Sequence, residues 1–254
     1  MIITSRQNSL IKQVAALNGK KYRKEAGLYL IEGIKPVKEY LSCGFKAEKI
    51  ICTEHNLSLF PSAVAVSDGV FKGISSEESP QGVIAVAKIP ENILRPPENP
   101  CILLDCLQDP GNVGTVIRTA NAAGFLEIYL INCTDPYSPK AVRASMGGIF
   151  HTKIYTGNYT EISNALKDVP LICTDMDGED IFAFAPPERF CLCIGNEGGG
   201  ISGEVKNNSA YTVKIPMRST CESLNAAVAA GIAMYTIKNS MRGKQCQDIP
   251  NGTI

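Results

Sequence analysis

From residue 101 onward, short apolar runs alternate with helix-like patterns, and this alternation constrains the fold more than any other feature of the chain. Strands are predicted at Cys101–Leu104, Glu127–Ile131, Leu171–Thr174, Phe190–Ile194 and Tyr211–Ile215. Helices are predicted at Asn112–Ala123, Lys140–Met146, Tyr159–Lys167 and Glu222–Met241. Strands that alternate with helices call for a parallel sheet covered on both faces. The last helix is rich in alanine (Ala226, Ala227, Ala229, Ala230, Ala233), which allows close approach of another element or subunit.

Ahead of this region, Lys88–Pro100 holds four prolines, Pro90, Pro96, Pro97 and Pro100, and is otherwise polar. Such a stretch excludes regular helix or a central strand and reads as a linker. It divides the chain into residues 1–95, a small mixed α/β domain, and residues 96–242, the larger α/β domain. The remainder, 243–254, lacks apolar periodicity and is expected to be a loose tail. In the first domain a helix is predicted from Asn8 to Leu17, with Leu10, Ile11, Val14 and Leu17 on one face. A short apolar segment follows at Leu28–Ile31, then a helix after Gly33 that Gly44 ends, and strands at Lys49–Cys52 and Gly82–Ala87.

The formal net charge is zero, but it is unevenly distributed. Residues 1–95 carry 13 Lys/Arg against 9 Asp/Glu, and residues 96–254 carry 12 against 16. The basic excess centres on Lys20-Lys21-Tyr22-Arg23-Lys24. That cluster is either a solvated face or a phosphate-contacting surface. No apolar run approaches the length of a membrane span. The start, Met1-Ile2-Ile3-Thr4-Ser5-Arg6, turns polar at once, so no signal peptide is expected and the protein is read as cytoplasmic. In that setting the ten cysteines, several in apolar stretches, read as reduced core thiols. Only His55 and His151 are present, neither with a ligand-spaced partner, so a metal site or a His-based triad has little to build on.

Ligands of open α/β sheets bind beyond the carboxyl ends of strands, and three loops there are chemically unusual. The first is Asp105–Gly114, with an Asp-Pro-Gly turn, Asn112 as a candidate N-cap and Arg118 further along the helix. An arginine amid Val116, Ile117 and Ala120 calls for an anionic partner. The second, Gly195-Asn196-Glu197-Gly198-Gly199-Gly200, is either a plain tight turn or a backbone cradle. It lacks dinucleotide-fingerprint spacing and a Walker lysine, and Glu197 would repel a phosphate. The third, Ile215–Asn225, places Ser223 and Asn225 near a helix N-terminus, where ordinary capping competes with ligand binding.

Together, in order and spacing, these loops resemble the three motifs of the SpoU (TrmH-like) branch of the SPOUT RNA methyltransferases. Asp109-Pro110-Gly111-Asn112-Val113-Gly114 with Arg118-Thr119-Ala120 resembles the first, and Ile194–Ile201 the second. Ile215-Pro216-Met217 with Ser223-Leu224-Asn225-Ala226-Ala227 resembles the third. The stretch Arg23–Gly33 resembles the substrate-binding domain often attached to such enzymes. One departure is Ser219, where the family usually has Gly.

The resemblance implies a C-terminal SPOUT domain with a parallel sheet and a trefoil knot, preceded by a small α/β RNA-binding domain. It implies S-adenosylmethionine-dependent 2′-O-methylation of RNA ribose, by a homodimer that needs no metal. Arg118, Asn112, Glu197, Ser223 and Asn225 stand at the family's catalytic positions, and Gly195, Ile215, Met217 and Leu224 at its cofactor-binding ones. Structured RNA is the implied partner. Ribosomal RNA is the first choice because of the added N-terminal domain, and tRNA stays open. Two further readings compete. A catalytically inactive RNA-binding homologue is disfavoured by the retained polar residues, and a nucleotide- or NAD-binding enzyme by the loop spacing.

Overall fold

The computed structural model describes residues 2–247, with side chains through Met241. In chain order the elements are α1 (Ser9–Ala16), α2 (Lys20–Ala26), β1 (Leu28–Glu32), α3 (Ile34–Ser42), β2 (Lys49–Thr53), β3 (Val64–Val66), α4 (Asp68–Ile74) and β4 (Val83–Lys88). Then follow β5 (Cys101–Asp105), α5 (Pro110–Ala123), β6 (Glu127–Ile131), α6 (Pro139–Ala144), β7 (Lys153–Gly157), α7 (Tyr159–Leu166) and β8 (Leu171–Asp180). The last are β9 (Cys191–Ile194), α8 (Gly203–Lys206), β10 (Tyr211–Lys214) and α9 (Ala226–Gln247). Among the described residues no helix is long and apolar enough to cross a membrane, and no group of His, Cys, Asp and Glu is placed to hold a metal ion.

The chain forms two compact units, and the division is discontinuous. One comprises Met1–Glu91 with Asp135–Phe150, the other Asn92–Thr134 with His151–Ile254. The segment carrying α6 thus leaves the larger sheet's sequence after β6, packs into the first unit, and returns at β7. A sequence boundary drawn at residue 95 misses this excursion. Nothing in the local pattern of Lys140–Met146 marks its partner.

The first unit is built on a four-stranded sheet in the order β1-β4-β2-β3, antiparallel except for β2 with β3. Ile11, Val14 and Leu17 from the α1 region pack with Phe71, Ile74, Ile51 and Ile84, as the helical spacing predicts. Asn8 caps α1 by accepting from the Leu10 amide. Arg23 departs from the sequence reading. It is 3% exposed, and its Nε and Nη2 donate to Asp135 Oδ2 at 2.9 and 2.7 Å. Its Nη1 donates to the Leu17 and Asn18 carbonyls at 2.8 Å each. The basic cluster is therefore three exposed lysines and one structural arginine. Tyr22 stands exposed among the lysines.

The second unit holds a six-stranded, wholly parallel sheet in the order β10-β8-β9-β5-β6-β7. β9 occupies the slot between β8 and β5, both of which precede it in sequence. The strands β5, β6 and β9 are buried along their whole length, which is why they read as continuous apolar runs. Cys101, Cys173, Cys191 and Cys193 share one core cluster as free thiols. Residues two apart on a strand share a face, so Cys191 and Cys193 lie together. The edge strand β7 and the short α8 carry too few apolar residues to have been predicted. α9 begins at Ala226 rather than Glu222 and continues to Gln247, five residues into the segment expected to be a loose tail. The rest of that tail, residues 248–254, lies outside the described residues.

Candidate active site

The first loop begins where β5 ends. Asp109, not Asn112, caps α5: its side chain accepts from the Asn112 amide at 3.0 Å, and Pro110 opens the helix. Proline at the first helical position already points to the residue before it as the cap, so this signal was present in the sequence. The consequence is chemical, because the Asn112 side chain is released from capping. Its Nδ2 donates to Glu197 Oε1 at 2.5 Å, and its Oδ1 accepts from Asn225 Nδ2 at 3.1 Å. Asn225 Oδ1 in turn accepts from the Ala227 and Val228 amides, capping α9 and fixing the amide's direction. One polar line, Asn225 to Asn112 to Glu197, joins three loops far apart in sequence.

The second loop is closed on itself. Asn196 and Gly200 exchange two backbone hydrogen bonds of 2.9 Å, and Gly200 sits at φ +66°. A β-carbon on Gly195 would overlap the backbone of Gly200 and Ile201. Asn196 Oδ1 accepts from the Gly198 and Gly199 amides, while its Nδ2 donates to the Cys106 carbonyl at 2.8 Å. Glu197 is left exposed at the tip. Asn196 and Asp105, whose Oδ2 accepts from the Ser202 amide at 2.6 Å, are site-building residues that the sequence reading missed. Both lie in stretches already singled out, Asn196 in the second motif and Asp105 at the start of the first loop, but neither was given a role. An aspartate closing an otherwise apolar strand was the available clue.

Beside this loop lies a pocket of about 270 Å³ at the carboxyl ends of β9 and β10, against the middle of β8. Gly195, Ile215, Met217 and Leu224, the four residues expected to bind cofactor, all line it, as do Glu197 and Ser223. Asn112 and Asn225 reach the pocket through Glu197. Arg118 does not line it: the side chain is exposed and makes no hydrogen bond or ion pair among the described residues. The anionic partner expected for it is not supplied by the described residues.

One wall of the pocket was invisible in the sequence. β8 runs past Thr174 to Asp180, and its register with β10 slips between Thr212 and Val213. That slip pushes Thr174, Asp175 and Met176 out to line the pocket. The polar run Asp175–Asp180 gives no strand pattern, since strand propensity there depends on the neighbour β10. Lys206 Nζ at 2.9 Å from Asp175 Oδ2 holds that carboxyl below its ordinary range. Among lining residues Asp175, Glu197 and Glu222 outnumber the one cation, Lys214. Burial and the adjacent Asp105 push the Cys106 thiol up to about 11. Ser219 is absent from the positive-φ residues of the chain, so a serine there meets no left-handed strain.

Residues 99–235 match the SpoU rRNA Methylase family, and residues 8–85 match the MRM3-like substrate binding domain. Over 245 residues the chain is 32% identical to the 23S rRNA (guanosine(2553)-2'-O)-methyltransferase RlmP of Bacillus subtilis (strain 168), covering 93% of this chain and 98% of that one. It is 29% identical over 258 residues to the 23S rRNA (uridine(2479)-2'-O)-methyltransferase of Streptomyces viridochromogenes, covering 92% and 90%. The crystal structure of an AdoMet-bound rRNA methyltransferase from Sinorhizobium meliloti superposes with a TM-score of 0.86 at 28% identity, covering 94% of this chain and 97% of that one.

Proposed function

The chain belongs to the SpoU rRNA methylase family, and from that premise we propose that it transfers a methyl group from S-adenosylmethionine to a ribose 2′-hydroxyl of RNA. The observation that carries this reading is the line Asn225–Asn112–Glu197 beside the pocket formed by the loops after β9 and β10. Ribosomal RNA is the target class, since both relatives named above act on 23S rRNA by their names. Those names specify guanosine in one case and uridine in the other, so the recognised base differs within the family.

The pocket suits the cofactor. Val213, Ile215, Met217 and Leu224 offer apolar walls to a flat base, loop amides and carbonyls offer paired polar edges, and the surplus of carboxylates favours a cation. Gly195, Ile215, Met217 and Leu224 would hold it. When bound, it supplies an electrophilic methyl on a sulfonium centre.

Arg118 is the residue for the RNA. A guanidinium keeps its proton in proteins and is no base, so its role is to grip a phosphate and polarise the hydroxyl, the proton passing to phosphate or water. Asn112 and Asn225, locked to each other, orient the ribose and the arginine, with Ser223 beside them. Glu197, acceptor-only and bonded to Asn112, organises the line rather than serving as sole base. Residues 1–95 form the RNA-binding domain, with Lys20, Lys21, Lys24 and Tyr22 as its contact surface, and residues 96–242 the methyltransferase domain. Insertion of β9 between two earlier strands supports a trefoil knot in the latter. A homodimer acting in the cytoplasm completes the proposal.

The test is to incubate the protein with labelled S-adenosylmethionine and total RNA from a strain lacking the gene, then map alkali-resistant positions. A single labelled 2′-O-methyl site in rRNA is expected, and a site in tRNA would move the target class. Cofactor binding without transfer to any RNA would favour an inactive RNA-binding homologue. Near-normal transfer by Arg118→Ala would remove that residue from its role.

A further inference from the structure

At the point where β5 leaves the sheet, Asp105 contradicts what stability alone would select. Its side chain is fully buried, and its Oδ1 has no hydrogen-bond partner among the described residues. A buried carboxylate with an unsatisfied oxygen is costly, and an apolar residue of similar volume would avoid the penalty. Its surroundings offset little of that cost: beside the Ser202 amide, the side chain bonded to it is the Cys106 thiol, a weak donor. Breaches of local stability rules of this kind concentrate at functional sites.

The other oxygen has a defined task. Oδ2 accepts from the Ser202 amide at 2.6 Å. Next along the chain, the Cys106 carbonyl accepts from Asn196 Nδ2, with Cys106 itself at φ +58°. Two consecutive residues at the end of β5 therefore grip residues 196 and 202, one on each side of Glu197. Between those grips the loop is short and closed by the Asn196–Gly200 pair, so little freedom remains at its tip. The tip is where Glu197 meets Asn112.

We propose that Asp105 is a positioning residue for methyl transfer: by holding the Ser202 amide it sets the Gly195–Gly200 loop in the shape that brings Glu197 to Asn112. The inference rests on the methyltransferase reading above and adds a residue that touches neither cofactor nor RNA. The acceptor oxygen, rather than the bulk of the side chain, carries the effect.

The test compares Asp105→Leu, Asp105→Asn and the wild type in melting temperature, kcat and the KM for RNA. Asp105→Leu is expected to melt no lower than wild type yet to lose at least tenfold in kcat, with KM for RNA within twofold. Asp105→Asn keeps an acceptor and is expected within threefold of wild-type kcat. Combining Asp105→Leu with Asn112→Ala should cost no more than Asn112→Ala alone, because both act through one contact. The proposal is overturned if Asp105→Leu turns over within twofold of wild type, if its loss accompanies a fall in melting temperature beyond 5 °C, if Asp105→Asn is equally impaired, or if the two losses multiply. Should Asp105→Leu not fold, Ser202→Pro removes the donor instead, at a φ of −60° that proline accepts. It must show the same kcat loss, and a kcat within twofold of wild type overturns the proposal. A wild-type chain that binds S-adenosylmethionine but methylates no RNA overturns the functional reading alone. Asp105 is then judged by calorimetric affinity for that cofactor: a tenfold weakening in Asp105→Leu supports its positioning role, and an unchanged affinity refutes it. A wild-type chain that neither binds nor methylates overturns both.

Discussion

Replacing Arg23 by methionine tests whether the basic cluster is a surface or a fastening. The guanidinium is buried, makes two hydrogen bonds to Asp135 Oδ2 and closes the Leu17 and Asn18 carbonyls. Methionine keeps an unbranched apolar stem but leaves the carboxylate, 14% exposed, without its cation, and two carbonyls without a donor. Removing one partner of a buried pair costs about 3–5 kcal/mol, a large part of a domain's net stability of roughly 5–15 kcal/mol. For a unit of this size each kcal/mol moves the midpoint by at least ~4 °C, so the first unit should melt about 12–20 °C lower. Calorimetry or circular dichroism would read the shift. The double variant Arg23→Met/Asp135→Leu should recover most of it, because no charge is then left stranded. A change under about 3 °C, or a double variant no better than the single one, would refute the assignment and return Arg23 to the phosphate-contacting surface.

Three other outcomes follow from the geometry. In Gly195→Ala the new β-carbon collides with Gly200 and Ile201. Losing the two Asn196–Gly200 backbone bonds, at about 0.5–1.5 kcal/mol each, should weaken S-adenosylmethionine binding roughly tenfold by calorimetry, and affinity within twofold of wild type would count against the closed loop. Changing Lys20, Lys21 and Lys24 together to Ala should weaken RNA binding and lower its salt dependence without lowering the melting point, and an unaltered slope of log affinity against log salt would free those lysines from phosphate contact. The Asp175 carboxyl is lowered by Lys206, so its contribution to stability is complete above its unfolded pKa of about 4 and disappears as pH falls through the lower folded value. Asp175→Asn should therefore flatten the acid limb of the stability–pH curve, and identical limbs would show that the pair does not matter to folding.

The middle of the larger sheet was legible because β5, β6 and β9 are buried on both faces and read as unbroken apolar runs such as Ile102-Leu103-Leu104. Five of its six strands and the loops bearing Asn112, Glu197 and Asn225 could be placed from residue type and spacing. What escaped was set by partners remote in sequence. Arg23 looked like one more cation in Lys20–Lys24 because Asp135 stands 112 residues away. Helix α2 was hidden because nearly every residue of Lys20–Ala26 is polar or charged, leaving no apolar stripe to count. The extension of β8 beyond Thr174 runs through Asp175, Asp177, Glu179 and Asp180, where pairing with β10 overrides a composition that argues for a loop. The cap of α5 was misplaced by three residues for a different reason: the Asp-Pro step was taken as a turn when it was already the start of the helix.

The excursion of Asp135–Phe150 into the first unit has a bearing on how such a chain can be cut and recombined. Severing the polypeptide in its proline-rich stretch would yield an amino-terminal fragment deprived of Asp135, with Arg23 facing no carboxylate, and a remainder carrying α6 with nothing to pack on. Exchange of substrate-binding modules between relatives must then transplant two separate pieces of gene at once, or tolerate a mismatched seam.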